Sequence, residues 1–191
     1  MSAAGLILAA GESRRMGFPK ALLSYRNETF LDTLIGLFAS RCEPLVVVLG
    51  AGAEQIRARV RRPATFALNP DYALGMTTSL QCGLRALPPD AEGVLFTLVD
   101  HPSVSAATLD ALLSAPRPLV RIPRHNGERG HPIWFSRELI PEFLAIPAGG
   151  AANQVVRGHR AETEFLDLDD PGIVADIDDP EAYRQLTGAT V

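Results

Sequence analysis

Cysteine is scarce in this chain: of 191 residues only Cys42 and Cys82 carry a thiol, and their spacing is not that of a metal finger. Two such residues read as buried thiols in a reducing compartment, which sets aside a disulfide framework. An excess of positive charge is also lacking. A formal net charge of −4 and a pI near 5.6 exclude the broad basic surface that general nucleic-acid and anionic-membrane binders need. No apolar stretch approaches the roughly 20 residues of a membrane span. An early run, Ala3 to Ala10, has no basic residue before it and leads into Gly11-Glu12-Ser13-Arg14-Arg15, the reverse of a signal peptide's charge order. The expectation is a cytoplasmic protein with neither nucleic acid nor membrane as partner.

Internal repeats and low-complexity tracts are absent too, and no segment is poor enough in Leu, Ile, Val and Phe to suggest disorder. What is there is an ordinary globular composition, 47% apolar and 21% charged, in a length that suits a single domain spanning 1–191.

Short apolar runs alternate with helical periods. Gly5-Leu6-Ile7-Leu8-Ala9-Ala10, Pro44 to Leu49 and Gly93 to Val99 read as strands buried on both faces, and 65–68 as a shorter one. Between them, Phe30, Leu31, Leu34, Ile35, Leu37 and Phe38 follow a helical period, and further helices fit 53–60, 77–86 and a stretch capped by Ser105. This alternation predicts an α/β fold with a doubly wound, mostly parallel sheet. After a strand at 119–122, residues 123–132 read as a long turn and Ile133-Trp134-Phe135 as a strand, so a small antiparallel part is expected there. Helices near 137–144 and 150–156, a strand at 163–168 and a helix from Pro180 complete the pattern.

Ligands of open α/β sheets sit beyond the carboxyl ends of the strands, which directs attention to the loop after the first one, LAAGESRRMGFPK. Ala9, Ala10 and Gly11 let backbone amides approach a ligand, and Arg14, Arg15 and Lys20 can neutralise a triphosphate. The loop lacks the glycine-lysine-hydroxyl ending of a Walker A motif and the glycine spacing of a dinucleotide-binding turn, which disfavours a P-loop kinase and a nicotinamide dehydrogenase. Asp100, at the end of the most apolar strand, either caps the following turn or holds a metal. Thr77, Thr78 and Ser79 open a helix after Gly75, where hydroxyls serve equally as caps or as ligand contacts. Arg124, His125, Arg129 and His131 form a second basic group in sequence. Near the C-terminus Asp176, Asp178 and Asp179 precede a proline-started helix; on an extended strand Asp176 and Asp178 share a face and Asp179 takes the other.

The stretch Leu8 to Lys20 resembles the signature loop of the molybdenum cofactor nucleotidyltransferases, enzymes that activate molybdopterin and related phosphorylated acceptors. Four further motifs follow in the family's order, from Asn69 to Leu80, at Asp100, at Arg129-Gly130-His131-Pro132 and from Asp176 to Tyr183. The resemblance implies transfer of a nucleoside monophosphate from an NTP to an acceptor, most simply molybdopterin, with release of pyrophosphate and no covalent enzyme intermediate. It implies a nucleotide lined by Leu8, Ala9, Ala10, Gly11, Glu12, Ser13 and Arg14, with Asn69, Thr78 and Ser79 near the base. Arg15 and Lys20 would polarise the phosphates and, with Asp100, form the catalytic group. Mg2+ is the implied cofactor, held by Asp100 with Asp178, or else Asp176. His101, Arg129 and His131 fall on the acceptor side, although the family usually carries Gln-Pro where this chain has His101-Pro102, and His101 either contacts substrate or fills the turn. Leu8-Ala9-Ala10-Gly11 resembles the cytidylyl type, hence CTP, whereas the guanylyl type usually has a second glycine at position 10. A transient contact with a molybdoenzyme or its chaperone is the implied protein partner. Two other readings stay open: a sister enzyme using a sugar phosphate or another small phosphorylated alcohol, and a nucleotide-binding sensor without chemistry.

Overall fold

The computed structural model describes residues 3–147 and 149–190. Its strands, in chain order, are β1 (Ala3–Ala9), β2 (Ser24–Tyr25), β3 (Glu28–Thr29), β4 (Leu45–Leu49), β5 (Thr65–Leu68), β6 (Gly93–Leu98), β7 (Val120–His125), β8 (Glu128–Arg129), β9 (Ile133–Ser136) and β10 (Thr163–Asp167). Its α-helices are α1 (Phe30–Ala39), α2 (Ala53–Arg59), α3 (Met76–Arg85), α4 (Ala106–Leu113), α5 (Ile140–Ala145), α6 (Asn153–Gly158) and α7 (Pro180–Thr187).

The main sheet runs β10-β7-β9-β6-β1-β4-β5, with β8 added beside β7, and β2 and β3 form a separate two-stranded sheet. β6, β1, β4 and β5 are mutually parallel; β9 runs antiparallel to both β6 and β7, and β10 returns parallel to β7. The expected mostly parallel α/β fold with a small antiparallel part is therefore what forms. Among the parallel strands the spatial order is third, second, first, fourth, so successive crossovers turn opposite ways on the two sides of β1. That reversal opens a crevice beyond the carboxyl ends of β1 and β6.

Alternation along the central strands divides the apolar core in two. Ile7, Ala9, Val47, Leu49 and Leu95 join one cluster with Phe30, Leu34 and Phe38 of α1, while Leu6, Leu8, Val46, Val48 and Phe96 join the other with Leu80 and Leu84 of α3. Both faces of β1 are thus apolar, which is why its sequence runs without alternation. On α1 the Thr29 hydroxyl caps the helix by accepting from the Asp32 amide at 2.9 Å. Gly83 lets α3 lie close on the sheet, since a Cβ there would fall 2.4 Å from Leu6 Cδ1. Truncating Phe38, which is fully buried, to alanine would cost about 3–5 kcal/mol.

Several local expectations are corrected. Residues 123–132 are not one long turn: β7 continues through His125, and Asn126 and Gly127, with φ of 51° and 83°, turn the chain tightly into β8. The hairpin β2–β3, turning through Arg26 and Asn27 at φ of 49° and 68°, was not anticipated. The helix expected at 150–156 begins at Asn153, because Gly149 takes a φ of 82° and the Gly150 carbonyl accepts from Thr77 Oγ1 at 2.6 Å, holding that segment as a turn. Among the described residues, no helix is long and apolar enough to cross a membrane.

Candidate active site

A cavity of about 530 Å³ fills the crevice beyond β1 and β6. Leu8, Ala9, Ala10, Gly11, Glu12, Ser13, Arg14, Arg15 and Lys20 all line it, as do Ser79, Asp100 and Asp178. The loop after β1 is shaped by its own bonds. Ser13, at a φ of 51°, offers its carbonyl to the Met16 and Gly17 amides, and its hydroxyl accepts from the Lys20 amide at 3.0 Å. Ser13 therefore fixes where the lysine leaves the backbone.

Lys20 reaches across to the far side of the crevice. Its ammonium donates to Asp100 Oδ2 at 3.0 Å and to Asp178 Oδ1, with only 12% of the side chain exposed. Burial opposes its charge, yet the two carboxylates more than offset that, so Lys20 is held above the ordinary lysine range. Arg15 donates to the other oxygen of Asp178 at 2.6 Å. Asp178 is accordingly held below the ordinary carboxylate range by its bond to Lys20, against the effect of burial. Arg14 is exposed and paired with Glu12.

Asp100, His101 and Asp176 each offer one ligand atom, and these atoms lie within 4.8 Å of one another. Burial, then the charges of Asp100 and Asp178, push Asp176 up to about 6. Two carboxylates and an imidazole so close form a donor set for a divalent cation, and Asp100 Oδ1 is a buried acceptor with no hydrogen-bond donor among the described residues. The residues fit a bound dication. Asp176 and Asp178 both turn toward Asp100, although the segment that carries them is not a strand, and Asp179 turns away to cap α7 by accepting from the Ala182 amide at 2.9 Å.

Other expected residues are placed differently. Asn69 is buried, and its amide group donates to Thr78 Oγ1 at 3.0 Å and Ser79 Oγ at 2.9 Å while its oxygen accepts from the Asp71 amide. Thr78 Oγ1 in turn donates to carbonyls of Asp71 and Gly75. Asn69 and Thr78 thus brace the start of α3 rather than line the cavity, because their polar atoms are already engaged; Ser79 does line it.

The second basic group does not assemble as one. Arg124 pairs through two bonds with Asp167, His125 Nδ1 lies 3.1 Å from the Leu168 carbonyl, and the guanidinium groups of Arg124 and Arg129 both lie over the Phe165 ring, at 5.2 and 4.9 Å. His131 packs edge-on to Phe96 and 5.0 Å from the ring of His101, and burial pushes it down to about 4. Arg129 and His131 do line a second cavity, of about 300 Å³. Phe96, Ile122, Ile133, Phe135 and Phe143 give it an apolar wall, and Met76 stands on the border between the two cavities. His101, expected beside the acceptor, lines neither cavity; it stands with the carboxylates instead.

Residues 5–163 match the model of the MobA-like NTP transferase domain. The chain belongs to that family. This chain is 32% identical to the nicotine blue oxidoreductase of Paenarthrobacter nicotinovorans, over 95% of each chain. It is 27% identical to the molybdenum cofactor cytidylyltransferase of Escherichia coli K12, over 93% of this chain and 92% of the relative. A probable molybdenum cofactor guanylyltransferase of Mycobacterium avium is 34% identical, over 99% and 97%. Among solved structures, Rv0371c of Mycobacterium tuberculosis H37Rv superposes with a TM-score of 0.86 at 28% identity, over 99% of both chains. A manganese complex of Rv0371c gives 0.82 at 27% identity, over the full length of each.

One positioning residue of this MobA-like chain was missed in the sequence. Asp170, buried, accepts from the Ser105 amide at 2.9 Å, Thr108 Oγ1 at 2.6 Å and the Gly172 amide at 2.9 Å. It ties the loop after β6 to the segment bearing Asp176 and Asp178, and the Ile177 amide donates to the Asp100 carbonyl at 3.1 Å to complete the junction. Gly172 permits this approach, since a Cβ there would fall 2.5 Å from the Ser103 carbonyl oxygen. Asp170-Pro171-Gly172 carried a turn signal that could have marked the place, but nothing local names its partners.

Proposed function

We propose that this protein is a single-domain enzyme that transfers CMP from CTP to the phosphate of molybdopterin, releasing pyrophosphate. The observation that carries the reading is Lys20, held charged between Asp100 and Asp178 on the wall of the larger cavity with Arg15 beside it. An acceptor phosphate oxygen attacks the α-phosphorus, the bond to the pyrophosphate oxygen breaks, and no covalent enzyme intermediate forms. The acceptor phosphate is already anionic at neutral pH, so no general base is assigned. Arg15 and Lys20 meet the negative charge on the phosphates, in a site whose donors are set before the substrate arrives. Backbone from Leu8 to Ser13 and the Ser79 hydroxyl face the nucleotide, and Arg14 adds charge at the rim. A bound Mg2+, held by Asp100 with Asp178 and Asp176, would neutralise phosphate charge and polarise the α-phosphate. The manganese complex of Rv0371c supports a divalent requirement.

The second cavity, apolar and rimmed by Arg129 and Arg157, suits a flat ring system bearing a phosphate better than a sugar phosphate, which would present hydroxyls to Phe96, Phe135 and Phe143. That contrast favours molybdopterin as the acceptor. CTP is favoured by Leu8-Ala9-Ala10-Gly11; the relatives include both cytidylyl and guanylyl types. The oxidoreductase named among them has no counterpart in a dinucleotide glycine turn here.

The test is pyrophosphate release from each of the four ribonucleotides with Mg2+, with and without molybdopterin. Molybdopterin-dependent release from CTP is expected. Release from GTP instead overturns the base assignment, and silence with all four points to a sugar phosphate acceptor, a sensor, or the redox chemistry of the oxidoreductase relative.

A further inference from the structure

We propose that His101 is a metal ligand, and that Asp100 Oδ1, His101 and Asp176 form a cation site that takes Mn2+, Co2+ or Zn2+ in preference to Mg2+, without help from nucleotide. The inference deepens the proposed transferase reading in placing a dication beside Asp100, but its donor set and its ion differ.

The two oxygens of Asp100 face different surroundings. Oδ2 accepts from Lys20, whereas Oδ1 is buried with no donor and looks onto His101 Nε2 at 3.8 Å, too long for a hydrogen bond. One ion about 2.1 Å from each atom spans that separation. The histidine side chain is only 6% exposed, held against the Gly172 backbone with Nε2 turned to Asp100. Buried ring nitrogens are ordinarily hydrogen-bonded, so an imidazole enclosed beside an unpaired carboxylate oxygen is in want of a third group. His131, itself braced by Phe96, packs against the ring and fixes its orientation.

Asp176 completes the set by elimination among the acids nearby. Both oxygens of Asp178 are engaged, one by Lys20 and one by Arg15. Asp176 makes no ion pair among the described residues, and its ligand atom lies within 4.8 Å of those of Asp100 and His101. The Lys20 ammonium is bonded to the other oxygen of Asp100 and need not leave for an ion to enter.

One nitrogen and two carboxylates distinguish among metals. Mg2+ takes oxygen ligands and gives up its waters reluctantly, so an imidazole adds little to its binding. Transition-metal dications accept imidazole, with affinity rising from Mn2+ to Co2+. A glutamine at position 101 would remove the nitrogen and with it the preference.

The experiment is metal binding to untagged, nucleotide-free protein by calorimetry with Mg2+, Mn2+ and Co2+ alone, joined to pulsed EPR of the Mn2+ complex. One Mn2+ or Co2+ per chain is expected, at least roughly tenfold tighter than Mg2+, with Co2+ tighter than Mn2+. The Mn2+ signal should carry a nitrogen coupling that changes on labelling histidine with 15N, a readout that needs no variant to fold. His101→Gln should abolish the coupling and bring Mn2+ and Mg2+ affinities together. Asp176→Asn, at an exposed residue, should weaken Mn2+ roughly 10–100-fold and keep the coupling. Absence of nucleotide-free binding, or bound Mn2+ that shows no histidine nitrogen coupling, overturns the proposal. Turnover of CTP with Mg2+ is scored separately, so either result leaves the transferase reading to its own test.

Discussion

The two cavities that meet at Met76 are built on opposite plans. The one beyond β1 and β6 is charged, and its cations are poised against carboxylates; the one under β7 and β9 is apolar, and of the two arginines that line it Arg129 lies on Phe165. In the first cavity charge is held by carboxylates on the wall, the Lys20 side chain almost enclosed at 12% exposure and Arg15 reaching Asp178 from solvent. The second cavity instead depends on packing, and the guanidinium groups of Arg124 and Arg129 beside it cover the face of Phe165. The difference teaches that basic residues clustered in sequence do not by themselves mark an anion site; the residues opposite them decide.

The comparison can be broken most directly at Lys20. Lys20→Ala should lower kcat roughly 10²–10³-fold while changing nucleotide affinity far less, as steady-state kinetics and nucleotide titration would show. Equal losses in both would make Lys20 a binding residue only, and the charged cavity no different in kind from the apolar one. Next in size is Asp170→Ala, which strands three donors; chemical denaturation should show about 2–4 kcal/mol lost. Burial raises the pKa of Asp170, but the bonds from Thr108, Ser105 and Gly172 outweigh it and hold the group below the ordinary carboxylate range. Its contribution is therefore present above the unfolded pKa of about 3.9 and is lost as pH falls through the lower folded value. An acid limb of the stability curve unchanged in Asp170→Asn would contradict this.

On the apolar side, Phe165→Ala should cost about 1–2 kcal/mol, from two lost cation–π contacts and some buried area, and should leave nucleotide affinity as it was. A change in nucleotide affinity would show that the two cavities are coupled. The smallest effect is expected at Arg14, exposed and paired only with Glu12. Arg14→Ala should raise the nucleotide KM a few-fold at low salt, with no change in melting temperature, and the difference should fade as ionic strength rises.

The same contrast governs what could be read before the fold was known. β1, β4 and β6 are covered on both faces, so they write themselves as unbroken apolar runs, and the crevice at their ends follows from the order in which they pair. The loop from Leu8 to Lys20 was legible because cations were concentrated on one short segment of an acidic chain. β7 was cut short in the sequence since its last residues, Pro123-Arg124-His125, are polar or lack an amide hydrogen, and their pairing with β8 and β10 is a tertiary matter. The inward turn of Asn69 and Thr78 depends on bonds made across the start of α3. The meeting of His101 with His131 joins positions thirty residues apart through two strands of opposite direction, and no period or spacing announces it.

The tie made by Asp170 also sets an order of events. Chains are synthesised from the N-terminus. The basic loop and Asp100 are made early, but the acids that share Lys20 and face His101 come only with residues 176–178, beyond the region that matches the family model. A growing chain can therefore form the parallel sheet and still have no complete place for a cation. Residues 170–178 act as a latch, and the site becomes whole only once they have been added and have docked on the loop after β6.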